Sequence, residues 1–209
     1  MVFFCSFLIF WKDASFMKPR LEPSRSRPAA QSFTAYRRVE AAFPFAWHYH
    51  PEIELTWIEA GSGSRMVGDH IEPYGPGDLV LLGGGLPHTW SSETPVGRAR
   101  GHRAVVVQFP PGVFGGGMEE GAEFFAVGDL LRRAGRGLVF SKGVADREGP
   151  ALDALVAARG LEAWCGLALL LDRLARTEAV RTLASAGYAP AARQGAQRRF
   201  ERALAFIEA

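Results

Sequence analysis

From residue 32 onward the chain alternates apolar and polar positions in short runs, each bounded by glycine or proline. A period of two marks a half-buried strand. It predicts strands over 32–39, 43–50, 53–59, 64–67, 70–73, 79–82 and 103–109. Gly61-Ser62-Gly63, Gly68-Asp69 and Pro76-Gly77-Asp78 supply turns between them. Short strands interrupted this often predict a barrel or sandwich. After residue 142 the period becomes helical. Residues 146–159 bring Leu152, Leu155 and Val156 together, and 161–176 are strongly apolar, with Trp164, Leu167, Leu170, Leu171 and Leu174 near helical spacing. One side of that helix can cover the sheet. The apolar surface is broad enough for a partner helix as well, so those five residues are expected to form a homodimer contact. The alternative is a helix pair that serves only the core.

The flanks follow other rules. Residues 2–11 are an apolar run with no positive charge before it. A secretory signal needs a basic start and a small-residue cleavage site, so we read residues 1–16 as an over-extended start before Met17, or else as an extra element covering the barrel. Residues 19–31 hold three prolines and two serines among basic residues and read as an arm. Residues 185–194 read as a linker, and 193–209 as a basic helix with Phe200, Leu204, Phe206 and Ile207 on its apolar face. The expected divisions are thus 1–31 extension and arm, 32–142 barrel, 143–186 helical pair, and 187–209 linker and first helix of a further domain that breaks off.

Composition narrows the picture. Of 209 residues, 48% are hydrophobic and 22% charged, which is globular rather than disordered. A net charge of +2 gives no case for nucleic-acid binding on its own. Cys5 and Cys165 lie far apart in unlike surroundings, so a disulfide framework is not expected and a cytoplasmic location is. No run of about twenty apolar residues exists to span a membrane.

The chemistry concentrates at Trp47-His48-Tyr49-His50-Pro51-Glu52-Ile53-Glu54. On an extended strand alternate side chains share a face, so both imidazoles, Glu52 and Glu54 can enter one space. His88 follows the glycine-rich corner Gly83-Gly84-Gly85. Imidazoles and a carboxylate suit Zn, Ni, Fe or Mn. Hydrogen-bonded structural histidines, or an organic ligand without metal, would use the same residues. His102 lies in a basic stretch expected to form a solvated rim, His70 is expected to be exposed beside its turn, and Gly115-Gly116-Gly117 is expected to be a connection rather than a phosphate cradle.

The spacing H-x-H-x3-E-x6-G, from His48 to Gly61, and G-x5-G-x-G-x2-H, from Gly77 to His88, resembles the two signatures of cupin barrels. Ala42, Gly83 and Ser92 stand where those signatures carry glycine, proline and asparagine. The resemblance implies a double-stranded β-helix (jelly-roll) barrel, mainly β, with His48, His50, Glu54 and His88 as metal ligands. It leaves open whether Glu52 or Glu54 reaches inward, and places Trp47, Glu52 and Trp90 at the ligand pocket. From Met17 onward the chain resembles the sensor half of AraC-type transcription regulators, carried by residues 47–55, Val67-Gly68-Asp69, Gly77 to Gly83, Leu86-Pro87-His88-Thr89-Trp90 and Arg202 to Glu208. That family's corner before Leu-Pro-His is Gly-Pro-Asn, and the glycines here predict a looser one. The resemblance implies a small-molecule effector (a sugar or small acid), a homodimer, and promoter DNA bound only through a missing helix-turn-helix domain. The competing expectation is a metal-dependent cupin enzyme, a dioxygenase or isomerase; a purely structural dimerisation domain is the third.

Overall fold

The computed structural model describes residues 18–23, 31–92, 101–115 and 121–188. The apolar run at 2–11, the Met17 start, arm residues 24–30, Gly116-Gly117 and everything expected past 188 lie outside the described residues. Eleven strands form among those described: β1 (Arg20–Leu21), β2 (Thr34–Glu40), β3 (His48–Tyr49), β4 (Ile53–Ala60), β5 (Gly63–Val67), β6 (His70–Tyr74), β7 (Leu79–Leu82), β8 (His88–Ser91), β9 (His102–Phe109), β10 (Leu138–Phe140) and β11 (Val180–Thr182). They build two sheets, ordered β1-β3-β8-β5-β6 and β11-β10-β7-β4-β9-β2. Every pairing is antiparallel except β1 with β3. The described chain is mainly β, a two-sheet jelly-roll barrel with appended helices.

Strand alternation sorts the side chains into two cores. Ile58, Val80, Leu82, Ala104 and Val106 turn into the barrel, where Phe43, Tyr74, Leu86 and Trp90 close on them. Ile53, Leu55, Leu79, Leu81, Val105, Val107 and Phe109 turn outward and meet the helices. The larger sheet is therefore covered on both faces, which is why β4 and β7 read as nearly continuous apolar runs. The buried Arg65 of β5 pairs with Glu72 of β6 and Asp78, and Trp90 Nε1 donates to Asp78 at 3.2 Å.

Three helices pack on the outer face: α1 (Phe125–Arg133), α2 (Lys142–Ala157) and α3 (Gly160–Ala175). Gly149 lets α2 approach β4, since a Cβ there would lie 2.9 Å from the Trp57 ring. Residues 143–186, expected as a helical pair, carry the two helices and also a strand: β11 returns after α3 and pairs with β10, Leu138 opposite Thr182. On α3 the five residues expected at a dimer contact lie in or against the chain's own core. Leu167, Leu170, Leu171 and Leu174 are wholly buried in the chain's own core, and Trp164 is half-buried against it. Each such burial contributes about 1.5–3 kcal/mol to the monomer fold, so those leucines are not open to a partner. The outward stripe is Leu161, Cys165 and Leu169, with Leu161 74% and Leu169 60% exposed.

Glu148 of α2 is buried, and its carboxylate accepts from Arg147 Nε at 2.8 Å and Arg173 Nε at 2.7 Å. Burial pushes its pKa up, but the two guanidinium hydrogen bonds outweigh that and hold it below 4.5. A depressed carboxylate stabilises the fold above its unfolded pKa and stops doing so as pH falls through its folded value. Because both arginines are about half exposed, we expect Glu148→Gln to cost about 1–3 kcal/mol at pH 7. Urea melts should show the deficit shrinking below pH 4.

Candidate metal centre

The site forms where β3, the bend after it, β4 and β8 meet. His48 of β3 lies opposite His88 of β8 in register. Pro51 and Glu52 form a bend before β4, and this carries His50 to the same point while β4 turns Glu54 inward. One ring nitrogen from each of His48, His50 and His88 lies within 4.8 Å of the other two. The ring centroids are 4.4–5.9 Å apart.

The three imidazoles are oriented alike. His48 Nδ1 faces Ala46 O at 2.7 Å, His50 Nδ1 faces Glu52 O at 3.2 Å, and His88 Nδ1 faces Leu86 O at 2.8 Å. A main-chain carbonyl only accepts, so each Nδ1 carries a hydrogen and each ring presents its Nε2 away from that carbonyl. Glu54 Oε2 lies 3.0 Å from His50 Nε2, and its Oε1 lies 3.8 Å from His88 Nε2. The carboxylate also accepts from Thr56 Oγ1 at 2.7 Å and from Gln108 Nε2 at 2.9 Å. On the other flank Glu22 Oε2 sits 2.8 Å from His48 Nε2. His88 Nε2 is buried without a hydrogen-bond partner among the described residues.

Charge follows from these contacts. Burial drives the His88 pKa down to about 4, so its ring is neutral at pH 7 with the Nε2 lone pair free. Burial also opposes charge on His48 and His50, but the hydrogen bonds to Glu22 and Glu54 outweigh it and raise both above 6.5. Burial pushes Glu54 up, yet the His50 hydrogen bond and the nearby imidazoles hold it well below the usual carboxylate range. An orphaned buried acceptor costs about 1–3 kcal/mol. A cation at the Nε2 atoms would use it, and the donor set of three imidazoles beside a carboxylate fits a first-row divalent ion.

Residues 31–125 match the family model described as AraC-like ligand binding domain. The match covers 95 of the 209 residues, under half of the chain. No curated protein sequence matches the chain. Among solved structures, the chain is similar to an apo ToxT variant from Vibrio cholerae strain SCE256, with 12% identity over 71% of this chain and 56% of that one and a TM-score of 0.43. It is similar to a single-residue variant of the oxalate decarboxylase of Bacillus subtilis at 23% identity, over 46% of this chain and 28% of that one, TM-score 0.33. For the DMSP lyase DddQ from Ruegeria pomeroyi DSS-3 the identity is 22%, the coverage 48% and 59%, and the TM-score 0.28. The chain spans little more than half of the ToxT chain and under a third of the decarboxylase chain.

At this centre the choice between the two carboxylates resolves. Glu54 faces the Nε2 edge of His50, whereas Glu52 Oε2 lies 3.6 Å from the opposite edge, at Nδ1. Trp47 and Trp90 are buried, and the Trp90 ring meets His88 edge-on with centroids 5.9 Å apart. The glycine corner is tight rather than loose. Gly83 N donates to Ala134 O at 2.7 Å and Gly85 N to His50 O at 2.7 Å, and a Cβ on Gly84 would lie 2.2 Å from Pro51 O. Backbone cannot yield as a flexible side chain can, so Gly84→Ala should displace the bend that carries His50. We expect it to destabilise the fold by about 1–3 kcal/mol, read by thermal unfolding, and to weaken any ion bound at His50.

His102, expected on a solvated rim, is instead buried at the start of β9. Its ring lies against Gly61, where a Cβ would come 2.1 Å from Nδ1, and beside Phe43. His70 is half-buried rather than exposed, with Nε2 3.9 Å from Glu72 Oε2. Sequence reasoning missed three partners of the centre. Thr56 and Gln108 share its face by strand alternation and could have been found that way; Glu22 is distant in sequence and carried no signal. Among the described residues no helix is long and apolar enough to cross a membrane.

Proposed function

We propose that this chain is the effector-sensing and dimerising portion of an AraC-type transcription regulator, in which one divalent ion on His48, His50, His88 and Glu54 helps to hold a small molecule. The observation that carries this reading is the shared orientation of the three imidazoles, each with Nδ1 engaged by a main-chain carbonyl and Nε2 left for a common point. Such outer contacts fix ring orientation and raise ligand basicity. A bound ion would supply a Lewis-acidic centre for an oxygen of the effector. Trp47 and Trp90 provide apolar surface beside it, and Glu52 orients His50 from behind.

Sensing requires that the effector favour one arrangement of the chain over another. The arrangement passed on is that of two copies meeting through the open stripe of Leu161, Cys165 and Leu169, and promoter contact belongs to a helix-turn-helix domain outside the described residues. Sedimentation of Leu169→Glu tests the dimer: an unchanged dimer mass removes this stripe from the interface. A thermal-shift screen of small sugars and small acids on ion-loaded protein tests the effector, with loss of the shift expected in His88→Ala. A metal-dependent cupin enzyme, a dioxygenase or isomerase, is the second reading, because the same donor set serves catalysis equally well. Turnover of a stabilising compound would favour it, and binding without turnover would favour the sensor.

A further inference from the structure

The carboxylate on the outer flank of the centre comes from the arm, not from the barrel. Strand β1 lies parallel to β3 with Arg20 opposite His48 and Leu21 opposite Tyr49. Arg20 N donates to Trp47 O at 3.1 Å and Glu22 N donates to Tyr49 O at 2.9 Å. This register delivers Glu22 Oε2 to 2.8 Å from His48 Nε2. Little else holds the described part of the arm, since Arg20, Leu21 and Glu22 are all exposed.

We propose that Glu22 is itself a ligand of the ion, supplied by the arm, so that docking of the arm depends on occupancy of the centre. The inference rests on the metal reading above. His48 has its Nδ1 engaged by Ala46 O, and Glu22 Oε2 lies beside the remaining ring nitrogen, Nε2. An ion held by that nitrogen would meet this carboxylate next to it. Three observations favour binding. In the docked arm the backbone bonds of Arg20 and Glu22 to β3 set the carboxylate beside His48. Glu54 is committed to the opposite flank by His50, Thr56 and Gln108 and does not serve the His48 side. Three neutral imidazoles and one carboxylate leave a divalent ion with a net positive charge, which a second carboxylate neutralises. The arm is then fastened by the ion, and a competing oxygen ligand from outside would free it.

The test uses the full chain, wild type and Glu22→Gln, titrated separately with Zn2+ and Mn2+ after chelator treatment. Trypsin cleavage after Arg20 is followed with and without the ion. Glu22→Gln should weaken ion binding by at least about 10-fold, and the ion should slow cleavage in the wild type but not in the variant. Circular dichroism confirms that the variant folds, as expected of an exposed residue. Equal affinity in the two proteins, or faster cleavage when the ion is added to wild type, overturns the inference and leaves the metal centre standing. Failure of the wild type to bind either ion overturns both.

Discussion

Glu54→Ala should cost about 3–5 kcal/mol of folding stability at pH 7, the usual consequence of removing one member of a buried charged network. The side chain is buried and accepts from Thr56 and Gln108 while facing His50 and His88. Alanine would leave a hydroxyl, an amide and an imidazole unsatisfied around a small void. The sign with pH follows from its depressed pKa. The contribution is present above about pH 4.5, near the unfolded value, and is lost as pH falls, so the gap between wild type and variant should narrow in acid. Glu54→Gln, which keeps the shape and part of the bonding, should cost less. Denaturant midpoints at pH 7 and pH 4 measure both. A midpoint for Glu54→Ala equal to wild type would mean that the network contributes nothing.

His50→Ala and His88→Ala should each weaken divalent-ion binding by at least about 100-fold, because loss of a direct ligand exceeds the 10- to 100-fold cost of losing an outer partner. The two differ without the ion. His88 is neutral and its Nε2 has no partner among the described residues, so its removal mainly opens a void. His50 carries a hydrogen bond to Glu54, and its removal leaves that carboxylate with Thr56 and Gln108 as its hydrogen-bond partners. Ion-dependent rises in melting temperature should be present in wild type and absent from both variants. Binding should tighten as pH rises, because the ion displaces protons from His48 and His50, whose pKa values are raised by their contacts with Glu22 and Glu54. A variant that keeps the full rise would exclude that histidine from the centre.

The barrel was legible because its two faces obey one period. Glu54, Thr56 and Ile58 turn inward while Ile53, Leu55 and Trp57 turn outward, as alternation requires. The glycine and proline turns marked the hairpins, and the expected strands at 53–59, 64–67, 70–73, 79–82 and 103–109 formed with small shifts at their ends. The predicted strand over 43–50 shrank to two residues, since Phe43 leaves the sheet and plugs the barrel. Leu138–Phe140 and Val180–Thr182 are too short to show a period, and only pairing with each other and with β7 makes them strands. Helix α1 lacked a signal for a related reason: only Val127 and Leu130 of it are buried. An apolar stripe on a helix does not tell whether a sheet or another copy covers it. That is why Leu167, Leu170, Leu171 and Leu174 fit a dimer contact in the sequence and the core in the structure. The burial of His102 depended on the bare face of Gly61, a tertiary contact that no local pattern announces.

In the proposed centre His48, His50 and His88 share one cation. Anomalous diffraction from crystals soaked in Zn2+ or Mn2+ measures this directly. A single peak is expected, bonded to the Nε2 atoms of those three residues at about 2.0–2.2 Å for Zn2+. Saturated crystals with no peak among the three rings, or with the ion bound elsewhere, would contradict it.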